Sequence, residues 1–339
     1  EHHKDTVAPH LQNNTLALGT IDTWLLWNLT QGNTYATDVT NASRTMLFNI
    51  QSLTFDPTLC DLFNIPIHIL PKVLPSSANF GTYTFNNTAI PIHAVIGDQQ
   101  SALFAQCQNQ PGTLKNTYGT GLFLMANTQQ TIVTTKHLIT TIAIGINNQT
   151  YYAIEGSVFT GGSLIQWLRD NLHIINAAGD TAAMAQSVPN NGGVTIIPAL
   201  TGLGAPHWQP NATGSILGLT RATNRNHIVR AALEAIALQT QDIIACIQTE
   251  CPNLPLQTLY VDGGAATNDW LMQCQADVSQ LTIKRPSITE ATALGAAQCA
   301  AHFSNTWGTA PDLDTTTFTP QTRPRELLDQ WDAAFKKGL

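Results

Sequence analysis

The sequence predicts an α/β fold, on three observations. The apolar run Ala94-Val95-Ile96 leads into Gly97-Asp98 and then a helix over Gln99 to Gln106. Leu259-Tyr260-Val261 reads as a strand, ends in Asp262-Gly263-Gly264, and gives way to a helix from about Thr267, a residue suited to cap it. His227 to Thr249 carries Ile228, Ala232, Ile236, Ile243 and Ile247 at near-helical spacing. Strands that alternate with helices point to an α/β architecture.

The elements follow in order. Residues 1–14 are polar and are expected to form a disordered lead-in, with His2 and His3 too isolated to hold a metal. From Leu16 an alternating stretch runs into a short helix over Thr20 to Trp27, capped by Asp22 or Thr23. Residues 33–50 read as strands and turns around Thr40-Asn41-Ala42-Ser43-Arg44-Thr45. Pro57, Pro66, Pro71 and Pro75 punctuate a short helix and loops over 56–85. Ile90 to Ile96 is expected as a buried strand ending at Asp98.

After Gln106 the chain enters a second unit. Residues 112–126 form a hairpin around Gly119-Thr120-Gly121, and Thr140 to Ile146 and Thr150 to Ile154 are alternating strands. Gly161-Gly162-Ser163 opens a helix with the stripe Leu164, Ile165, Leu168 and Leu172. Val194 to Pro198 is a short buried strand, and a helix runs from near Ala291 to His302. The expected organisation is therefore a lead-in at 1–14, a first unit at 15–105 and a second at 106–339.

Composition narrows the function. At 339 residues the chain holds about two domains. Charged residues make up only 11%, where about 25% is usual, and Asn, Gln and Thr take their place. A net charge of −7 argues against a nucleic-acid partner. The six cysteines (Cys60, Cys107, Cys246, Cys251, Cys274 and Cys299) form no CxxC or Cys/His metal spacing and read as reduced thiols. No apolar run reaches the roughly 18 residues that span a bilayer, and the first residues carry no signal-peptide pattern. A cytoplasmic protein without a membrane span is expected.

Asp98 is the leading chemical residue. A carboxylate at the mouth of a strand accepts a proton from a substrate hydroxyl, and a following Gly-Thr-Gly turn lays backbone amides on a phosphate. A cap on the next helix is the other reading of a lone Asp. Gly119-Thr120-Gly121 alone is an ordinary hairpin turn. Gly161-Gly162 at a helix N-terminus is common too, although such ends attract phosphate. Gly263-Gly264, with Asn268 four residues on, allows close approach by a flat ligand such as adenine or ribose. The order of these motifs along the chain suits phosphoryl transfer.

Seven segments then carry a family resemblance. They are Gly19-Thr20-Ile21-Asp22-Thr23-Trp24-Leu25, Thr40-Asn41-Ala42-Ser43-Arg44-Thr45-Met46-Leu47-Phe48, Gly97-Asp98-Gln99-Gln100, Asn116-Thr117-Tyr118-Gly119-Thr120-Gly121, Gln166-Trp167-Leu168-Arg169-Asp170, Thr201-Gly202-Leu203-Gly204-Ala205-Pro206 and Val261-Asp262-Gly263-Gly264-Ala265. With them the chain resembles the FGGY carbohydrate kinase family, of the actin-like ATPase (ribonuclease H-like) fold, over nearly all of residues 15–335. Asn-Ala-Ser-Arg-Thr and Gly-Leu-Gly-Ala-Pro place the likeness with members that phosphorylate glycerol.

The resemblance implies ATP and glycerol as substrates, with Mg2+ on the nucleotide, and sn-glycerol 3-phosphate and ADP as products. Asp98 matches the catalytic base that takes the proton from the terminal glycerol hydroxyl. Gln99 matches a glycerol-binding neighbour, and Phe123 the apolar wall against the glycerol carbons. Thr120 matches a phosphate contact, Gly162 and Gln166 match nucleotide-site positions, and Gly264 with Asn268 match the residues beside adenosine. Family members are commonly dimers or tetramers, so a homo-oligomer is expected.

Two departures are plain. The family's Asp-x-Gly-Thr phosphate loop, and the Arg-Glu pair, Trp and Tyr that grip glycerol, have no counterpart here. The chain is therefore expected to be the later part of a longer kinase, with its first domain incomplete, weak or inactive alone, and with uncovered apolar surface on residues 15–105. Asn86-Asn87-Thr88-Ala89 is short and lacks the Gly-rich loop with Arg that binds fructose 1,6-bisphosphate in some members, so that regulation is not expected. Another FGGY polyol or sugar kinase, or a non-catalytic nucleotide-binding remnant, are the competing readings.

Overall fold

The computed structural model describes residues 3–288, 290–306 and 314–338. The first part runs through α1 (Lys4–Gln12), α2 (Ile21–Leu29), β1 (Ala36–Asp38), α3 (Val39–Ala42), β2 (Phe48–Asn49), β3 (Thr54–Phe55), α4 (Pro57–Leu62), β4 (Lys72–Leu74), β5 (Thr82–Phe85), β6 (Thr88–Pro91) and α5 (Asp98–Cys107). It continues with β7 (Leu114–Tyr118), β8 (Leu122–Gln129), β9 (Ile139–Ile146), β10 (Gln149–Val158), α6 (Gly162–Asp170), α7 (Asp180–Gln186), β11 (Thr195–Ile197), β12 (Ser215–Leu217) and α8 (Arg225–Glu250). The last elements are β13 (Thr258–Asp262), α9 (Asp269–Ser279), β14 (Thr282–Pro286), α10 (Ala291–Ser304), β15 (Thr315–Phe318) and α11 (Arg325–Gly338).

One seven-stranded sheet organises the molecule, in the order β15-β14-β13-β7-β8-β10-β9. β7, β8, β10 and β9 are successively antiparallel, whereas β7, β13 and β14 run parallel. Side chains alternate across its faces, as the pleat requires. From β8, Leu122, Leu124 and Ala126 join the core under α8, with Ile236, Ile243 and Ile247. Met125, between them, points to the other face and packs with Leu103 and Cys107 of α5. Phe104 of α5 and Cys299 of α10 cover Ile144 and Ile146 there. The Ser101 hydroxyl donates to the Thr292 carbonyl at 2.6 Å and ties α5 to α10.

α5 thus packs on the large sheet, and a boundary at 105/106 falls within that helix. Before α5 the described strands pair two by two, β1 with β4, β2 with β3 and β5 with β6.

Four expectations are corrected here. Of the lead-in, residues 1 and 2, with His2, lie outside the described residues, but Lys4–Gln12 is a helix. The Thr6 and Val7 amides close its first turn on the His3 carbonyl, and Asp5 there complements the dipole. The helix at Ile21–Leu29 has Thr20 as its N-cap, without a side-chain cap, while Asp22 instead accepts from the Thr37 hydroxyl at 2.7 Å. The turn region around Thr40 is a short helix, because Asp38 caps it by accepting from the Thr40 and Asn41 amides. Ile90 to Ile96 is no buried strand. Its start belongs to the exposed β5–β6 hairpin, and Ile92, His93 and Val95 bond the irregular segment 76–81. Backbone partners outside any regular strand explain why this apolar run is not ladder-paired.

α2 leaves Ile21, Trp24, Leu25 and Trp27 exposed, Trp24 by 62%. This is the uncovered apolar surface expected on residues 15–105. Among the described residues no helix is long and apolar enough to cross a membrane, and the six cysteines are free.

Candidate active site

β7 and β13 are parallel neighbours, with Thr117 beside Asp262 at their carboxyl ends. In sheets of this kind ligands bind in the crevice beyond such ends. After β7 the chain turns through Gly119-Thr120-Gly121 into β8. After β13 it passes Gly263 into a 3-10 turn at Gly264–Thr267 and then α9. α6 and α7 close the remaining sides, leaving a cavity of about 730 Å³. Thr120, Gly162, Gln166, Gly264 and Asn268 all line it, with Arg169, Thr181 and Trp270. The Arg230 guanidinium lies 5.2 Å from the Trp270 ring and steadies that wall.

The first amides of α6 are already in use. Gly161 and Ser163 donate to the Thr120 carbonyl at 2.8 and 3.2 Å, and Gly162 donates to the Gly119 carbonyl at 2.8 Å. This helix end therefore fixes the hairpin turn and does not stand open for a phosphate, as its sequence position implied. A Cβ on Gly162 would lie 2.7 Å from the Gly119 oxygen, so the close approach requires glycine. At Gly264 a Cβ would meet nothing within 4 Å. No protein atom requires glycine there, and the space opens on the cavity.

Asn268, not Thr267, caps α9: its Oδ1 accepts from the Leu271 amide at 3.1 Å. Its Nδ2 donates to the Thr181 hydroxyl at 3.0 Å, joining α9 to α7. Thr267 instead turns back, its hydroxyl donating to the Gly264 carbonyl at 2.8 Å.

Asp98, Gln99 and Phe123 do not line this cavity. Asp98 opens α5 after the N-cap Gly97, is exposed, and accepts from the Gln99 amide at 2.7 Å. Gln99 Oε1 accepts from Lys115 Nζ at 2.6 Å and from the Thr117 hydroxyl at 3.4 Å. Phe123, 38% exposed, stands on β8 opposite Thr117 and Ser157. Both groups of residues therefore flank the carboxyl end of β7, Gln99 at Thr117 and the cavity from Tyr118 onward.

Sequence reasoning passed over the residue that joins them. Lys115, almost fully buried, donates to Gln99 and Thr117 and lies 4.0 Å from Asp262 Oδ1. Burial pulls its ammonium below the usual lysine range, and Asp262 and Asp98 oppose this. Gln106 donates to Asp262 Oδ2 at 2.9 Å. A lysine inside the apolar pattern of a central strand was the available signal. Arg44 was likewise missed: it makes a two-pronged pair with buried Glu155, at 2.7 and 3.2 Å.

Comparison with known proteins agrees with this architecture. Residues 114–304 match the C-terminal domain of the FGGY family of carbohydrate kinases, and residues 2–105 match its N-terminal domain. The chain belongs to the FGGY family of carbohydrate kinases. It has the two-domain α/β fold of that family, of the actin-like ATPase class. A glycerol kinase from Shewanella frigidimarina is 52% identical over 301 residues, 88% of this chain and 60% of that protein. One from Polaromonas naphthalenivorans is 47% identical over 347 residues, 98% of this chain and 70% of that protein. The crystal structure of Plasmodium falciparum glycerol kinase with ADP is 35% identical with a TM-score of 0.91, covering 98% of this chain and 69% of that one. This FGGY chain thus spans some 60–70% of the length of these relatives.

Proposed function

We propose that this chain belongs to an ATP-dependent glycerol kinase, which carries the γ-phosphoryl group to a terminal hydroxyl of glycerol to give sn-glycerol 3-phosphate and ADP. The observation that carries this reading is the shared strand end. Thr120, Gly162, Gln166, Gly264 and Asn268 meet in one cavity, and Gln99, beside Asp98, is bonded to Thr117 at its edge. The division is a glycerol side at 15–105 and a nucleotide side at 106–339.

In this reading ATP occupies the cavity with its magnesium ion, which enters as part of the substrate and neutralises phosphate charge. Thr120 meets the phosphates, and Gly264 leaves room for the adenosine. Asp98 accepts the proton of the attacking hydroxyl, Gln99 holds a second hydroxyl and Phe123 bounds the carbons. Phosphoryl transfer asks for positioning and charge stabilisation above all, which these elements supply. A cytoplasmic homo-oligomer belongs to the same reading.

The test is MgADP titration together with glycerol-dependent ADP release by the purified chain and by Asp98→Asn. The reading expects MgADP to bind both forms alike, and any release by the parent chain to fall about 10²–10⁴-fold in the variant. Equal release from both would remove Asp98 as the base. Binding without release in either supports the nucleotide side and removes support for catalysis by this chain, and preference for another polyol is the outcome of a different FGGY kinase.

A further inference from the structure

Away from the cavity, the edge of the sheet and the end of α8 bring three metal-ligand types together. Cys246 and Glu250 stand one turn apart on α8, on the same helix face. His137, in the loop before edge strand β9, approaches them from a distant part of the chain, 113 residues before Glu250. One ligand atom from each of the three lies within 4.8 Å of the others, and this is the one such group of His, Cys, Asp and Glu among the described residues. We propose that His137, Cys246 and Glu250 form a binding site for a divalent transition-metal ion of the zinc type.

The donor set fits that class. An imidazole, a thiolate and a carboxylate suit borderline and soft divalent ions, whereas magnesium or calcium prefers an all-oxygen shell. Three protein ligands leave a fourth tetrahedral position to water. His137 Nδ1 and Glu250 Oε1 now share a hydrogen bond of 2.6 Å. A metal about 2.0–2.3 Å from each ligand would replace it after small side-chain rotations.

The surroundings hold the ligands as a metal site requires. The Lys136 amide donates to Glu250 Oε2 at 3.0 Å, which fixes the carboxylate and leaves Oε1 to the shared point. The Trp208 indole donates to the His137 carbonyl at 2.6 Å, and the Thr135 hydroxyl to the Leu138 carbonyl at 2.7 Å, which anchors the loop. The His137 side chain is 55% exposed, so the site opens to solvent. The ion would staple the loop before β9 to the last turn of α8. None of its ligands lines the nucleotide cavity, so the site stands apart from the kinase reading.

Cobalt(II) reports on the thiolate directly. Titration of the metal-free, reduced chain is expected to give a saturating one-to-one thiolate-to-cobalt charge-transfer band that zinc displaces. Cys246→Ser should abolish the band, and His137→Ala should weaken binding about tenfold or more. In the parent chain zinc should also slow alkylation of Cys246, read by peptide mass spectrometry, which decides the matter should a variant misfold. A folded chain with no band and unprotected Cys246, or a band unchanged in Cys246→Ser, would overturn the site and leave a hydrogen-bonded His–Glu pair beside an inert thiol.

Discussion

Lys115 Nζ lies 2.6 Å from Gln99 Oε1, so a buried ammonium on the central strand β7 holds the first turn of α5. The same ammonium sits 4.0 Å from Asp262 at the end of β13. One cation therefore joins the helix of Asp98 to the two strand ends that open the cavity.

Lys115→Met keeps the volume and removes the donor. Gln99 Oε1 and the Asp262 carboxylate then lose a buried partner, a loss of about 1–3 kcal/mol, reduced by the relief of burying a cation. Urea unfolding should show that decrease. Addition of Asp262→Asn should recover part of it, because the uncompensated carboxylate disappears. A double variant less stable than the sum of the two single changes would break the proposed link.

Gly162 and Gly264 line the same cavity but answer differently to a side chain. Gly162→Ala drives a methyl toward the Gly119 carbonyl, so α6 and the hairpin turn must part. Overpacking of this kind costs about 1–3 kcal/mol and should weaken MgADP binding as well. Gly264→Leu enters open space, so stability should stay within about 1 kcal/mol while MgADP affinity falls about tenfold or more. Thermal unfolding and nucleotide titration on both variants separate the two effects.

Much of this was legible in the sequence, and the failures share a cause. The hairpin at Gly119-Thr120-Gly121, the strand to Asp262 and the long helix α8 follow from local pattern, and they carry the cavity. Ile90 to Ile96 misled because its apolar residues meet an irregular partner, which no periodicity reveals. Thr267 and Asn268 are both cap-forming types, Asn the better one, and the turn after Gly263 places Asn268 at the helix start. Lys115 and the His137–Cys246–Glu250 group are products of tertiary placement. The lysine in a central strand and the one-turn spacing of Cys246 and Glu250 are visible in the sequence, but their partners Gln99 and His137 sit on other elements and leave no mark in residue spacing.

Arg44 brings the Thr40–Thr45 segment onto strand β10 through Glu155, which is only 4% exposed. Arg44→Ala strands that carboxylate without its fork, and a destabilisation of about 1–3 kcal/mol is expected, moderated because Arg44 itself is part-exposed. Arg44→Ala with Glu155→Gln should be more stable than Arg44→Ala alone. Chemical unfolding of the single and double variants reads the coupling, and equal stabilities would mean the pair is ornamental to the fold.

Asp38 is fully buried and gathers donors around one carboxylate. The Thr40 amide and hydroxyl, the Asn41 amide and side chain, and the Ser76 hydroxyl all donate to it, at 2.6 to 3.0 Å. An amide at this position accepts on one oxygen only, so Asp38→Asn should cost about 3 kcal/mol through stranded donors and a weakened α3 cap. Burial raises the Asp38 carboxyl above its ordinary 3.8, against the pull of Ser76, Asn41 and Thr40. Between 3.8 and the raised native value the folded chain therefore keeps a proton that the unfolded chain has released. The native state binds more protons, so this group makes stability rise as pH falls through that window. Asp38→Asn cannot titrate. The stability gap between parent and variant, measured by urea unfolding at a series of pH values, should therefore widen on acidification. A gap that narrows instead would mean that the surrounding hydrogen bonds, rather than burial, set the protonation of Asp38.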